Sequence, residues 1–208
     1  MEGQREAWDS FYSANARAWR GVSDIKGHPF VKGSHILEVG CGNGKTASAL
    51  KDEGMTVTAI DFSSAVINGC QPAEGIEYIC ASVTELPFDD CSFDGALAFH
   101  VIEHLDADEL PTAVSEMERV MRPGSYLMVK VFSRDDMRSD KGERIGDGTV
   151  VRGNGIMYHY YTEEELARTF SSMEKIEVRT VTDKTRFGES RSRIVGVFRK
   201  RKGESSTF

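Results

Sequence analysis

The sequence predicts an α/β fold: a doubly wound, mostly parallel sheet of seven strands with helices on both faces and an antiparallel hairpin at its C-terminal edge. Three observations predict it. Short β-branched runs alternate with longer runs of helical character over residues 35–132. Glycine and proline fall at the joints between them. The last two β-branched runs have no helix between them, so they join as a hairpin.

Residues 35–39 (HILEV) read as the first strand, 45–53 as a helix closed by Gly54, and 55–60 (MTVTAI) as the second strand. A helix over 63–70 stops near Pro72, and strands follow at 76–81 and 93–99. Asp108 is placed to cap the next helix, which sets Pro111 in the first turn, where a missing N–H costs little. That helix runs to Arg122 and ends at Pro123-Gly124, before a fifth strand over 126–132. Residues 134–155 are polar and glycine-rich without a clear period, an excursion of the kind that is functional or disordered in compact domains. Thr162 caps a helix whose first turn carries Glu163, Glu164 and Glu165, carboxylates suited to the positive end of the helix dipole. The closing hairpin pairs 175–181 with 194–199. Ahead of the first strand, residues 5–20 place Ala7, Trp8, Phe11, Tyr12, Ala16 and Trp19 on a helical period.

Two hundred and eight residues, 39% hydrophobic and 28% charged, suit one globular domain with a substantial core. No run approaches the roughly 18 apolar residues of a membrane span, and the polar, acidic N-terminus is unlike a signal peptide, so a cytoplasmic protein without membrane contact is expected. Cys41, Cys70, Cys80 and Cys91 form no Cys-x-x-Cys pair, so free, mostly buried thiols and no metal site are expected. The net charge of −7 argues against a nucleic-acid binder. It is an average over two unlike parts. Residues 184–202 carry eight basic side chains against Glu189 alone, a segment of +7 that leaves the rest of the chain at −14. The plain reading of that segment is a solvated edge strand guarded against aggregation.

The chemistry is concentrated at Glu38-x-Gly40-x-Gly42-x-Gly44, where a strand turns into a helix. Alternating glycines allow a tight turn and close approach of a ligand, and the helix start offers free N–H groups. A phosphate-cradling loop needs four residues between its first glycine and Gly44-Lys45-Thr46, but Val39 holds the required position. A dinucleotide fingerprint needs glycine where Lys45 stands. With Asp61 at the end of the second strand, the third pattern fits: the segment resembles the class I, Rossmann-like S-adenosylmethionine-dependent methyltransferases. The resemblance extends through 86–94 (LPFDDCSFD), 101–105 (VIEHL) and 119–124 (RVMRPG), in the family's order, and covers residues 35–132.

The resemblance implies S-adenosylmethionine as cofactor and a role for each matched position. Gly40, Cys41, Gly42 and Gly44 would lie along the methionine moiety, with Glu38 orienting it from beneath. Asp61 would accept from both ribose hydroxyls, since a carboxylate offers two oxygens at diol spacing. Phe62 would cover the adenine, and the Val83 N–H would meet its edge. The family often places an aspartate where this chain has Ser82, a weaker acceptor. The chain then divides into an N-terminal helical lid (1–33), a cofactor-binding core (34–133), an insertion (134–161) and a C-terminal helix with hairpin (162–208).

The acceptor is less legible. His100 and His104, beyond the fourth strand, are the candidate bases, although the family often carries a histidine at the second position without a catalytic task. His100 also falls where the cofactor pocket should be, since ligands in open α/β sheets sit beyond the carboxyl ends of the strands. Tyr12, Trp19, Arg20 and Tyr160 are the candidate lid and substrate contacts. So small an addition to the core favours a small-molecule acceptor, as in the tellurite-, thiol- or quinone-type methyltransferases the chain resembles. A tRNA wobble-uridine methyltransferase working with a small partner protein is the alternative, with phosphates meeting the basic C-terminal strand, and a noncatalytic cofactor-binding subunit is a third reading. Oligomeric state has no signature in the sequence.

The Ser82 departure yields a prediction: Ser82→Asp binds S-adenosylhomocysteine more tightly than the natural chain, as read by calorimetry. Tighter binding by the natural chain would refute the assigned role.

Overall fold

The computed structural model describes residues 2–14, 23–185 and 187–202. Seven strands form one sheet, in the spatial order 76–80, 56–61, 35–39, 93–99, 121–132, 190–199 and 174–184. Five of them run parallel: β1 (His35–Val39), β2 (Thr56–Asp61), β3 (Ile76–Cys80), β4 (Phe93–Phe99) and β5 (Met121–Phe132). The last two, β9 (Glu174–Lys184) and β10 (Ser190–Arg199), are antiparallel to each other, and β10 is antiparallel to β5.

Side chains alternate across a strand, so neighbours enter opposite cores. Ile36 packs with Ala47 and Leu50 of α2 (Lys45–Asp52) on one face. Leu37 packs on the other with Met117 of α4 (Glu109–Val120) and with Leu166 and Phe170, which belong to or follow α5 (Glu163–Thr169). Helix α3 (Ser64–Gly69) joins β2 to β3. A third cluster stands beyond the carboxyl ends of the strands, where Trp8 of α1 (Glu2–Ala14) meets Phe132, Val150, Ile156, Tyr158 and Tyr160.

Several expectations are corrected. The 134–155 excursion is not structureless; with the residues just after it, it forms a three-stranded antiparallel sheet, β6 (Glu143–Gly146), β7 (Thr149–Val151) and β8 (Met157–His159). Strands of three or four residues are too short to show a period, and their order comes from burying Val150, Ile156 and Tyr158 against α1. The helical period assigned to residues 5–20 is seen as helix as far as Ala14, and Ala16 and Trp19 lie outside the described residues. Helix α4 ends at Val120, and Pro123-Gly124 lies within a longer β5, where the Gly124 N–H donates to the Lys200 carbonyl at 2.9 Å. The edge of the sheet is β9; the strand carrying Arg191, Arg193 and Arg199 is β10, inside it. Of the four free cysteines only Cys41 and Cys70 are buried, and both thiols donate to the Gly42 carbonyl. Among the described residues no helix is long and apolar enough to cross a membrane.

The expected Thr162 cap of α5 is present, accepting from the Glu165 N–H, and Glu165 completes a capping box by accepting from the Thr162 N–H. Helix α4 is capped otherwise. Asp108 already has helical backbone angles and makes no side-chain cap; Asp106 Oδ1 accepts from Asp108 N at 3.0 Å and Glu109 N at 2.9 Å. Asp106→Ala therefore lowers stability by about 1 kcal/mol in chemical denaturation and Asp108→Ala by only a few tenths. The reverse ranking would reject this assignment.

Candidate functional site

The site lies where β1, β2, β4 and β5 end and the glycine loop turns into α2. Gly40, Gly42 and Gly44 all have positive φ, and a Cβ on Gly40 would collide with the Val101 side chain. Such angles are open to glycine at little cost. Cys41 N donates to Ile60 O at 2.8 Å, and Gly42 N to Asp61 Oδ2 at 3.0 Å. The other Asp61 oxygen accepts from Ser63 N at 3.0 Å. Asp61 is 5% exposed, and burial raises its pKa against the opposing pull of those N–H groups. The Ser63 hydroxyl caps α3 and also donates to Asp9, which docks α1 over the site.

Glu38 lies beneath the loop. One oxygen, Oε2, is buried without a hydrogen-bond partner, and burial pushes the pKa from 4.5 up to about 8. Beyond β4, His100 holds a left-handed backbone (φ 59°), sparsely populated by non-glycine residues and frequent at functional sites. Its Nδ1 lies 2.8 Å from Glu103 Oε1, and its ring stacks on Phe132 at 4.3 Å. His104 is fixed differently. Its Nδ1 lies 2.7 Å from the Met157 carbonyl, which can only accept, so the proton is on Nδ1 and the neutral ring keeps its lone pair on Nε2. Burial lowers the pKa of His104. Trp8 and Tyr158 present T-shaped contacts to its ring at 4.9 and 4.8 Å.

Two lobes of one cleft meet here, sharing Trp8, Tyr12, Gly40, His100 and His104. The smaller, about 110 Å³, is walled by Asp61, Phe62, Ser82 and Val83 together with apolar side chains such as Ile60 and Leu105. The larger, about 460 Å³, is walled by Glu38, Cys41 and Gly42 together with Lys130, Phe132 and Arg138. Most of the expected positions thus converge. Gly44 does not line either lobe; it backs onto Tyr78. The Ser82 hydroxyl is engaged locally with Thr84. Tyr160 is a correction: it is fully buried, its OH donating to Arg138 O at 3.0 Å and accepting from Arg152 at 2.6 Å, and Tyr158 takes the wall. Trp19 and Arg20 lie outside the described residues. Lys130 and Arg138 were not anticipated, although a lysine within the apolar run LMVKVF was a visible signal.

Comparison with known proteins follows the same lines. Residues 37–129 match the family described as "Methyltransferase domain". The chain is 28% identical over 165 residues to the human tRNA N(3)-cytidine methyltransferase METTL2B, covering 72% of this chain and 44% of that protein. It is 39% identical over 105 residues to the O-methyltransferase resE of Aspergillus sclerotiorum, covering 47% and 39%. The chain thus spans less than half the length of these curated relatives. A crystal structure of a SAM-dependent methyltransferase from Methanosarcina mazei superposes with a TM-score of 0.75 at 25% identity, over 88% of this chain and all of that one.

The buried Glu38 carboxyl generates a pH prediction. Its pKa is raised in the folded chain, so its contribution to stability is full below about 4.5 and is lost as pH rises toward 8. Relative to Glu38→Gln, the ligand-free natural chain should lose stability steadily from pH 5 to 8 in denaturant titrations. A constant difference between the two across that range would contradict the buried, neutral acid.

Proposed function

The chain belongs to the class I S-adenosylmethionine-dependent methyltransferases, and from that premise we propose that it methylates a small-molecule acceptor held in the larger lobe. The residues present fit the cofactor. Asp61 gives one lone pair per oxygen to a backbone N–H and keeps others for a ribose diol. The unpartnered Glu38 Oε2 and the Cβ-free loop supply what a methionine ammonium needs, an acceptor and close approach. The apolar wall of the smaller lobe suits a flat base.

When bound, S-adenosylmethionine supplies a methyl carbon on a sulfonium sulfur, open to in-line attack. What this chain contributes is positioning, exclusion of water and a place for a proton. His104 lines both lobes, and its neutral state and fixed tautomer make Nε2 the group suited to take a proton from a hydroxyl acceptor. His100, held by Glu103 and Phe132, is the positioning residue between the lobes. Among the described residues no group of three ligating side chains could hold a metal.

The observation that carries the small-molecule reading is the roof. Trp8 and Tyr12 of α1 and Tyr158 of β8 wall the larger lobe, making it a pocket. The basic C-terminal strand supports it too, because five of its described cations are engaged within the chain. Arg199 donates to Gly124 O, Lys200 to Met121 O and Arg201 to Ser172 O, while Arg191 pairs with Asp136 and Arg193 with Asp183. A second reading, an RNA acceptor, is favoured by the similarity to METTL2B and by Arg191 and Arg193 reaching the larger lobe.

Incubation with methyl-labelled S-adenosylmethionine and either a small-molecule extract or total tRNA separates the two. Label is expected in the small-molecule fraction, with His104→Gln lowering transfer by about tenfold or more while S-adenosylhomocysteine affinity is retained. Label in tRNA that falls steeply with added salt would overturn the reading.

A further inference from the structure

The larger lobe is out of keeping with the charge of the chain. In a protein of net charge −7, five cations line it, Lys45, Lys130, Arg138, Arg191 and Arg193, against three acids, Asp24, Glu38 and Asp136. The acids are already engaged or sealed away. Asp136, 2% exposed, accepts from Arg138 Nε, Arg191 Nε and Ser192 N, each at 3.0 Å, so one carboxylate sits between two guanidinium groups. Asp24 lies 3.7 Å from Arg193.

Two cations remain short of negative charge. Lys130 is 6% exposed, its Nζ donating to the main-chain carbonyl of Asp24 and lying over the Phe99 ring, 4.4 Å from the centroid. Burial lowers its pKa to about 8. Arg138 lies over the Phe132 ring at 4.7 Å, and its Nη2 is shut off from water without a hydrogen-bond partner. A buried cation lacking a full complement of acceptors is costly, and a bound anion removes the cost. The walls between these groups are aromatic: Phe99, Phe132, Tyr158 and Trp8.

We propose that the methyl acceptor is a planar organic acid whose carboxylate is taken by Arg138 and Lys130 while its ring lies among Phe99, Phe132 and Tyr158. The proposal rests on the methyltransferase reading above and specifies the substrate class. With Arg138 Nε held by Asp136 and Nη2 closed off from water, the remaining guanidinium nitrogen can donate to a carboxylate, and the lysine adds a point charge. The acceptor oxygen or nitrogen then lies across the lobe from the acid group, toward His104. A carboxylate could equally be that of the cofactor's own methionine end, so the test separates the two sources.

The full chain, saturated with S-adenosylhomocysteine, is titrated with benzoate and with the neutral isostere benzamide, using calorimetry or ligand-observed NMR. Benzoate is expected to bind on the order of tenfold tighter, the size of one charge-assisted hydrogen bond. Arg138→Gln and Lys130→Met, the latter keeping an unbranched side chain without the charge, should each erase that preference while S-adenosylhomocysteine affinity stays within about twofold. Thermal unfolding of both variants confirms that they are folded, and either one suffices for the test. Equal binding of benzoate and benzamide, or a preference that survives in the folded variants, overturns the proposal. So does a parallel loss of S-adenosylhomocysteine affinity, which would give the cations to the cofactor. Failure of the natural chain to bind S-adenosylhomocysteine at all would instead overturn the methyltransferase reading, and this proposal with it.

Discussion

The Asp61 carboxylate is the interaction on which the rest of the site depends. It stands at the end of β2 and holds Gly42 N with one oxygen and Ser63 N with the other, so a single side chain fixes both the glycine loop and the start of α3. Both bonds are charge-assisted and shielded from water, the setting in which such bonds are strongest and their loss most costly. From this point the order propagates outward. Ser63 caps α3 and bonds Asp9, Asp9 belongs to α1, and α1 brings Trp8 and Tyr12 over the cleft. The pocket roof is therefore coupled through Ser63 and Asp9 to the group that sets the loop.

The second constraint is charge. A net −7 describes no part of this molecule. Much of the basic C-terminal segment is engaged locally, by hydrogen bonds to backbone carbonyls at its end and by ion pairs with Asp136 and Asp183 along β10. The surplus that remains is inside, at Lys130 and Arg138, where the dielectric is lower and an unmatched charge acts more strongly than it would on the surface. The two histidines divide along similar lines. His100 is bound to a carboxylate, whereas His104 is bound to a carbonyl and kept neutral by burial.

Several features were legible because they are local. The Gly40, Gly42 and Gly44 spacing, the acid ending the second strand and the Thr162 cap each reflect chemistry within a few residues. The errors are cases of two close candidates. Asp106 and Asp108 are chemically equivalent, and the cap went to the one lying outside the helical backbone. Tyr158 and Tyr160 point to the same face of an extended segment, yet the first reaches the cleft wall and the second satisfies its hydroxyl in the core. Lys130 was hidden by the apolar run around it, and Arg138 by a polar segment with no period.

By itself the sequence determined the strand and helix order, the parallel sheet, the glycine loop and the acid that ends the second strand, because these follow from periodicity, punctuation and short motifs. The tertiary structure alone decided which aromatic ring closes the cleft, which tautomer His104 keeps and where Lys130 and Arg138 lie. Those depend on contacts between residues far apart in the chain: Met157 with His104, Asp24 with Lys130, Asp136 with Arg138 and Arg191. Burial and partner supply set their chemistry, and neither is a property of a residue until the chain has closed around it.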